Sequence, residues 1–137
     1  MALLDSKRLL ITGVLTDDSI AYGVAELAQQ EGAEVVLTSF GRALSLTRRV
    51  AKHLPSPPDV LELDVTEPRH LEAVAADLRA RWGGLDGLLH SVGFAPQSCL
   101  GGGFLQASWE DVRVALQVSA YSLQSLTSGL LPLFQAA

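Results

Sequence analysis

The chain has 137 residues, 48% of them apolar and 18% charged, with a formal net charge of −5. That is the size of one ordinary domain, richer in core-forming residues than most. With no basic cluster longer than Arg48-Arg49, the charge removes the usual electrostatic reason for a nucleic-acid or anionic-membrane partner.

Cys99 is the single cysteine, which excludes an internal disulfide and points to a reducing compartment. The bland reading of its thiol is a small buried hydrophobe. The apolar stretch after Asp5, Lys7 and Arg8 is far shorter than the roughly 20 residues of a membrane span, so the expectation is a soluble cytoplasmic chain.

Residues 8–13, RLLITG, predict a first strand with a glycine stop, and 20–31 place Ile20, Val24, Leu27 and Ala28 on one helical stripe. Gly32 is a good helix terminator, and VVLTSF at 35–40 predicts a second strand. A helix with Leu46, Val50 and Leu54 at four-residue spacing follows. After the proline-rich turn at Pro55 to Pro58 comes VLELDV at 60–65, a third strand, then a helix marked by Leu71, Val74, Ala75 and Leu78. Thr66 is its expected N-cap, with Pro68 in the first turn.

Gly83-Gly84 closes that helix, and LDGLLHSVG at 85–93 reads as a fourth strand running into a glycine turn. Beyond Gly101 to Gly103, Ser108 to Asp111 is an S-x-x-D capping signal. It opens a long helix with the stripe Val112, Leu116, Ser119, Leu123, Leu126 and Leu130, ending at Pro132. Four strands alternating with helices predict an α/β, doubly wound parallel sheet of Rossmann type. In such sheets a ligand lies beyond the carboxyl ends of the strands, where the strand order reverses.

The first strand-turn-helix, ITGVLTDDSIAYG at 11–23, offers a glycine after a strand and a helix N-terminus beyond it, as a pyrophosphate site requires. Ser19 and Ile20 stand where the usual G-x-G-x-x-G pattern has its second glycine, so a purely structural turn stays open on the residues alone. Thr12-Gly13, Ser19-Ile20-Ala21 and Gly23, with LDV at 63–65, HSVGFAP at 90–96 and SAYS at 119–122, resemble the enoyl-[acyl-carrier-protein] reductases, a branch of the short-chain dehydrogenase/reductase superfamily. HSVGFAP is the most specific element, because most short-chain dehydrogenases carry an N-A-G type sequence there.

The resemblance implies NADH as cofactor. It gives Gly13, Ser19 and Ile20 to the pyrophosphate and neighbouring ribose, Asp64 and Val65 to the adenine, and Ser91, Val92 and Gly93 to the nicotinamide-side ribose. Phe40 would pack against the adenine ring, or else cap the core. Phe94 and Ala95 would line the acyl end of the site. Arg42 is near enough to suggest a 2′-phosphate contact, with the start of a surface helix as its alternative. For Asp64 the alternative is a solvated carboxylate near a helix start. His90 lacks partners at metal-ligand spacing and reads as a packed imidazole, and no metal is indicated.

The family's catalytic pair, a tyrosine with a lysine in Y-x6-K spacing, is absent. Tyr22 is followed seven positions on by Gln29 and Tyr121 by Ser128, while the lysines are Lys7 and Lys52. No catalytic residue is therefore assigned. The resemblance implies that residues 1–137 are the N-terminal dinucleotide-binding part of a single Rossmann-type domain, cut after the fourth strand and the long helix with the C-terminal half absent. That would leave apolar surface uncovered. It further implies reduction of a trans-2-enoyl thioester on acyl carrier protein or coenzyme A, in fatty acid synthesis, by a full-length homotetramer assembled through the long helix. Two alternatives stand beside it: another short-chain dehydrogenase such as a 3-oxoacyl-thioester reductase, and a non-catalytic chain that binds nucleotide or another subunit.

Overall fold

The computed structural model describes residues 2–137. Its strands are β1 (Arg8–Ile11), β2 (Glu34–Ser39), β3 (Val60–Glu62) and β4 (Gly87–Leu89). Its helices are α1 (Ile20–Gln30), α2 (Ala43–Ala51), α3 (Pro68–Trp82), α4 (Trp109–Leu116) and α5 (Ser122–Ala136), the last two joined by a π-helical turn, Gln117–Tyr121. The strands form one sheet in the order β3-β2-β1-β4, every pairing parallel. This is the expected doubly wound α/β sheet of Rossmann type.

Successive strand residues point to opposite faces, so each strand feeds two cores. Ile11, Val35 and Leu37 pack under α1 and α2, while Leu10 and Val36 pack with Val74, Leu78, Leu126, Leu130 and Leu133 of α3 and α5. Full burial of each such side chain contributes about 1.5–3 kcal/mol. α5 crosses α3 closely at Gly129, where an added Cβ would lie 2.5 Å from Leu71 Cδ2. Among the described residues no helix is long and apolar enough to cross a membrane.

Several local expectations need correction. In α1 the buried residues are Ala21, Tyr22, Ala25 and Ala28, whereas Ile20 is 82% exposed, Leu27 is 59% exposed and Val24 is also exposed. Two apolar stripes run along α1 about 100° apart. Small side chains let the helix axis lie close to the sheet, so the alanine stripe wins, and only Ala28 of the expected stripe is buried. Burial also raises the Tyr22 pKa above its ordinary 10.0, helped by Glu26 and Asp17. In α2 Thr47 is buried in place of Leu46, because its hydroxyl donates to the Val14 carbonyl.

The N-cap of α3 is Glu67, whose carboxylate accepts from the Arg69 N–H, and not Thr66. Thr66 instead gives both its N–H and its hydroxyl to Asp64 Oδ1, at 2.9 and 2.7 Å. Gly83 does close α3, in the left-handed conformation. Ser108 caps α4 as its S-x-x-D signal requires.

The long helix is neither continuous nor stopped by Pro132. Its burial runs through Val114, Val118, Ser122, Leu126 and Leu130, while Leu116, Ser119 and Leu123 of the expected stripe are exposed. Repeated four-residue steps drift around a 3.6-residue helix, and the wider π turn absorbs that drift. Pro132 lies inside α5 on its exposed side, and the turn beyond it is held by buried Leu133, whose carbonyl accepts from the Leu85 N–H. Cys99 is half-buried in a short 3-10 turn, Gln97–Cys99, rather than fully buried. β3 and β4 keep only three residues each, because the chain leaves the ladder at Leu63 and at His90 to build loops.

Candidate functional site

Because all four strands run the same way, their carboxyl ends lie along one rim. The strand order turns around between β1 and β4, the place where parallel sheets of this kind open a crevice. A crevice of about 460 Å³ opens there. Its lining comes from the segments that follow the strands: Gly13 to Leu15 after β1, Thr38 to Phe40 at the end of β2, Leu63 to Thr66 after β3, and Ser91 to Phe94 after β4. Ala43 of α2, Val114 of α4 and Val118 of the π turn complete it.

The floor is made where β1 and β4 end. Thr12, fully buried, donates its hydroxyl to the Leu89 carbonyl (2.8 Å) and accepts from the Ser91 N–H (2.9 Å), extending the pairing beyond the ladder by one side chain. Gly13 then passes so close to Ser91 that a Cβ at position 13 would lie 1.9 Å from the Ser91 carbonyl oxygen. Its φ of +83° is also one that side chains disfavour. Only glycine fits here. Gly93 is less constrained, since a Cβ there would meet Ser119 Oγ at 3.8 Å, an ordinary contact.

At the start of α1 the loop folds back on Ser19, whose Oγ accepts from the N–H groups of Leu15 (3.0 Å) and Thr16 (3.1 Å). No side chain caps α1, and its first turn carries no acidic residue. The N–H groups and the positive end of the helix dipole there suit an anion. Phe40, 43% exposed, lines the crevice where β2 ends. Arg42 is exposed at the N-cap of α2, where it starts a surface helix as its plainer reading had it.

The wall after β4 is fixed to the helix behind it. Ser119 Oγ accepts from the Phe94 N–H (2.9 Å) and donates to the Phe94 carbonyl (3.0 Å), so one side chain holds both polar groups of that residue. His90 Nε2 lies 2.7 Å from Ser122 Oγ. The single Ser122 hydroxyl proton goes to the Val118 carbonyl (2.7 Å), so His90 must be the donor and carries its proton on Nε2. It is a packed imidazole.

Of the residues singled out from sequence, Gly13, Phe40, Asp64, Val65, Ser91, Val92, Gly93 and Phe94 line this one crevice. Ser19, Ile20 and Ala95 lie outside its lining, the first two at the α1 end and Ala95 just past Phe94. Sequence reasoning missed Val14, Leu15, Thr38, Ser39, Ala43, Leu63, Thr66, Val114 and Val118. For Thr38 and Ser39 a signal existed, as polar residues closing an apolar strand run. For Val114 and Val118 the i,i+4 pair was present, but the π turn hides which face it occupies.

Residues 13–137 match the family model described as "Enoyl-(Acyl carrier protein) reductase". An enoyl-[acyl-carrier-protein] reductase [NADH] of Mycolicibacterium smegmatis is 47% identical over 135 residues, covering 96% of this chain and 50% of the relative. Its namesake from Mycobacterium avium is 40% identical over 134 residues, with 96% and 50% covered. That of Neisseria meningitidis serogroup B is 40% identical over 137 residues, with 98% and 52% covered. The chain thus spans about half the length of the curated relatives it matches.

Proposed function

The chain belongs to the enoyl-(acyl carrier protein) reductase family, and on that premise we propose that residues 1–137 are the dinucleotide-binding part of a Rossmann-type domain that takes NADH. The observation carrying this reading is the crevice at the turn-around between β1 and β4, with a glycine floor that no side chain could replace. Bound there, the cofactor would supply a hydride to an enoyl thioester.

The residues divide the work by position. The first turn of α1, reached through Gly13, Ser19 and Ile20, receives the pyrophosphate and neighbouring ribose with backbone N–H groups. Asp64 and Val65 border the adenine, and Phe40 packs on its face. Ser91, Val92 and Gly93 approach the nicotinamide-side ribose, and Phe94 and Ala95 border the acyl end.

The whole-protein activity we propose is NADH-dependent reduction of trans-2-enoyl thioesters carried on acyl carrier protein or coenzyme A. A Y-x6-K pair is not in this sequence, so an oxyanion donor and a ribose-positioning lysine would have to come from outside these residues. Self-assembly through the long helix is supported by Leu116 of α4, Tyr121 of the π turn, and Leu123 and Leu131 of α5, all exposed.

Titration calorimetry with NADH tests the nucleotide reading: measurable 1:1 binding is expected, and none at millimolar cofactor overturns it. In parallel, NADH absorbance with crotonyl thioester should show no turnover by these 137 residues and recovered turnover when they are fused to a family C-terminal half. Steady turnover by the chain alone would make Tyr121 the first candidate catalyst.

A further inference from the structure

Asp64 and Val65 wall the crevice from the loop between β3 and α3, after β3 has ended at Glu62. The Asp64 N–H therefore needs a partner outside the ladder. It finds one in a side chain, donating to His70 Nδ1 at 2.9 Å. His70 sits in the first turn of α3, its side chain 30% exposed, with Nε2 at 3.6 Å from Glu62 Oε1. A ring nitrogen that accepts from an amide carries no proton, so the proton of the neutral ring is on Nε2, facing the Glu62 carboxylate.

One imidazole thus ties Asp64, a crevice residue just after β3, to the start of α3. The helix does not need it for initiation, because Glu67 already caps the Arg69 N–H and Pro68 opens the first turn. Nor does the Asp64 side chain do the same work, since its Oδ1 is taken by Thr66. The Asp64 carbonyl is held by the Glu67 N–H at 2.9 Å, and His70 holds the other side of the residue, the Leu63–Asp64 peptide from which Asp64 extends.

We propose that His70 is a positioning residue for the adenine end of the crevice, its Nδ1 anchoring the Asp64 N–H and so setting the Asp64–Val65 wall. This rests on the nucleotide reading above. ADP-ribose, which carries the adenine half and no nicotinamide, is the probe, titrated into the 137-residue chain and its variants by calorimetry.

His70→Asn keeps an acceptor close to the Nδ1 position, whereas His70→Gln carries its acceptor one bond further out, towards Nε2. Asn should bind within about threefold of the parent chain. Gln should bind about tenfold more weakly, the scale of one lost hydrogen bond to a half-buried group, at a thermal midpoint matching that of Asn. His70→Leu should weaken binding at least as much as Gln.

Equal affinity of the parent chain, Asn, Gln and Leu forms overturns the role of His70 and leaves the nucleotide reading standing. Affinities that simply follow the thermal midpoints overturn it as well, by reducing His70 to a packing residue. Failure of the parent chain to bind ADP-ribose at all overturns both. Should His70→Leu not fold, the Asn and Gln pair carries the comparison.

Discussion

Gly13→Ala is the substitution whose cost the fold most sharply defines. Placing a side chain at φ +83° costs about 1–2 kcal/mol. The new Cβ would also lie 1.9 Å from the Ser91 carbonyl oxygen, with the Ser91 carbonyl carbon at 2.7 Å. Backbone has to move by more than an ångström to relieve this, and Ser91 is held by its N–H bond to Thr12 Oγ1. Surrendering that half-buried bond costs about 1–3 kcal/mol. The sum, about 2–5 kcal/mol, is a large part of the about 5–15 kcal/mol that a domain has.

Urea titration followed by circular dichroism and tryptophan fluorescence would read this as a midpoint shift at unchanged slope. Gly23→Ala is the control, because nothing lies within 4 Å of a Cβ there and the residue is inside α1. It should gain about 0.5–1 kcal/mol from helix propensity. A Gly13→Ala protein within about 1 kcal/mol of the parent would refute the close approach of β1 and β4 described above.

Thr12→Val keeps the shape of a fully buried side chain but removes its bonds to Leu89 and Ser91. A loss of about 2–3 kcal/mol is expected, together with faster hydrogen exchange at the Ser91 amide, and unchanged exchange there would contradict the bridging role. Ser19→Ala removes the acceptor for the Leu15 and Thr16 N–H groups in an exposed loop. Stability should fall by less than about 1 kcal/mol and NADH affinity by about tenfold; calorimetry returning the parent affinity would separate Ser19 from the pyrophosphate site.

The sheet was legible from sequence because parallel strands buried on both faces leave continuous apolar runs, and RLLI, EVVLTS and GLL are such runs. About half of the crevice lining was legible too, since turns after the strands carry the glycines and small polar residues that a crevice needs. Helix faces were harder to read. In α1 the larger residues Ile20, Val24 and Leu27 drew the prediction away from the alanines that lie on the sheet. The periodicity of one stripe is identical to that of its neighbour, and only the distance between helix and sheet chooses between them. The π turn at Gln117–Tyr121 has no signature in pattern alone, so the contribution of Val114 and Val118 to the crevice became visible only with the fold.

The floor under the crevice is peptide, formed by Gly13 against the Ser91 carbonyl, while its sides are the side chains of Phe40, Val65, Val114 and Val118. Redesign of what the crevice accepts is accordingly one-sided. Substitutions at the four wall positions can change its width and polarity while the strands beneath stay in place, whereas any alteration of the floor is an alteration of the sheet. Variants with new ligand preference should be sought in a library confined to those walls, and a library at position 13 should return destabilised protein rather than new specificity.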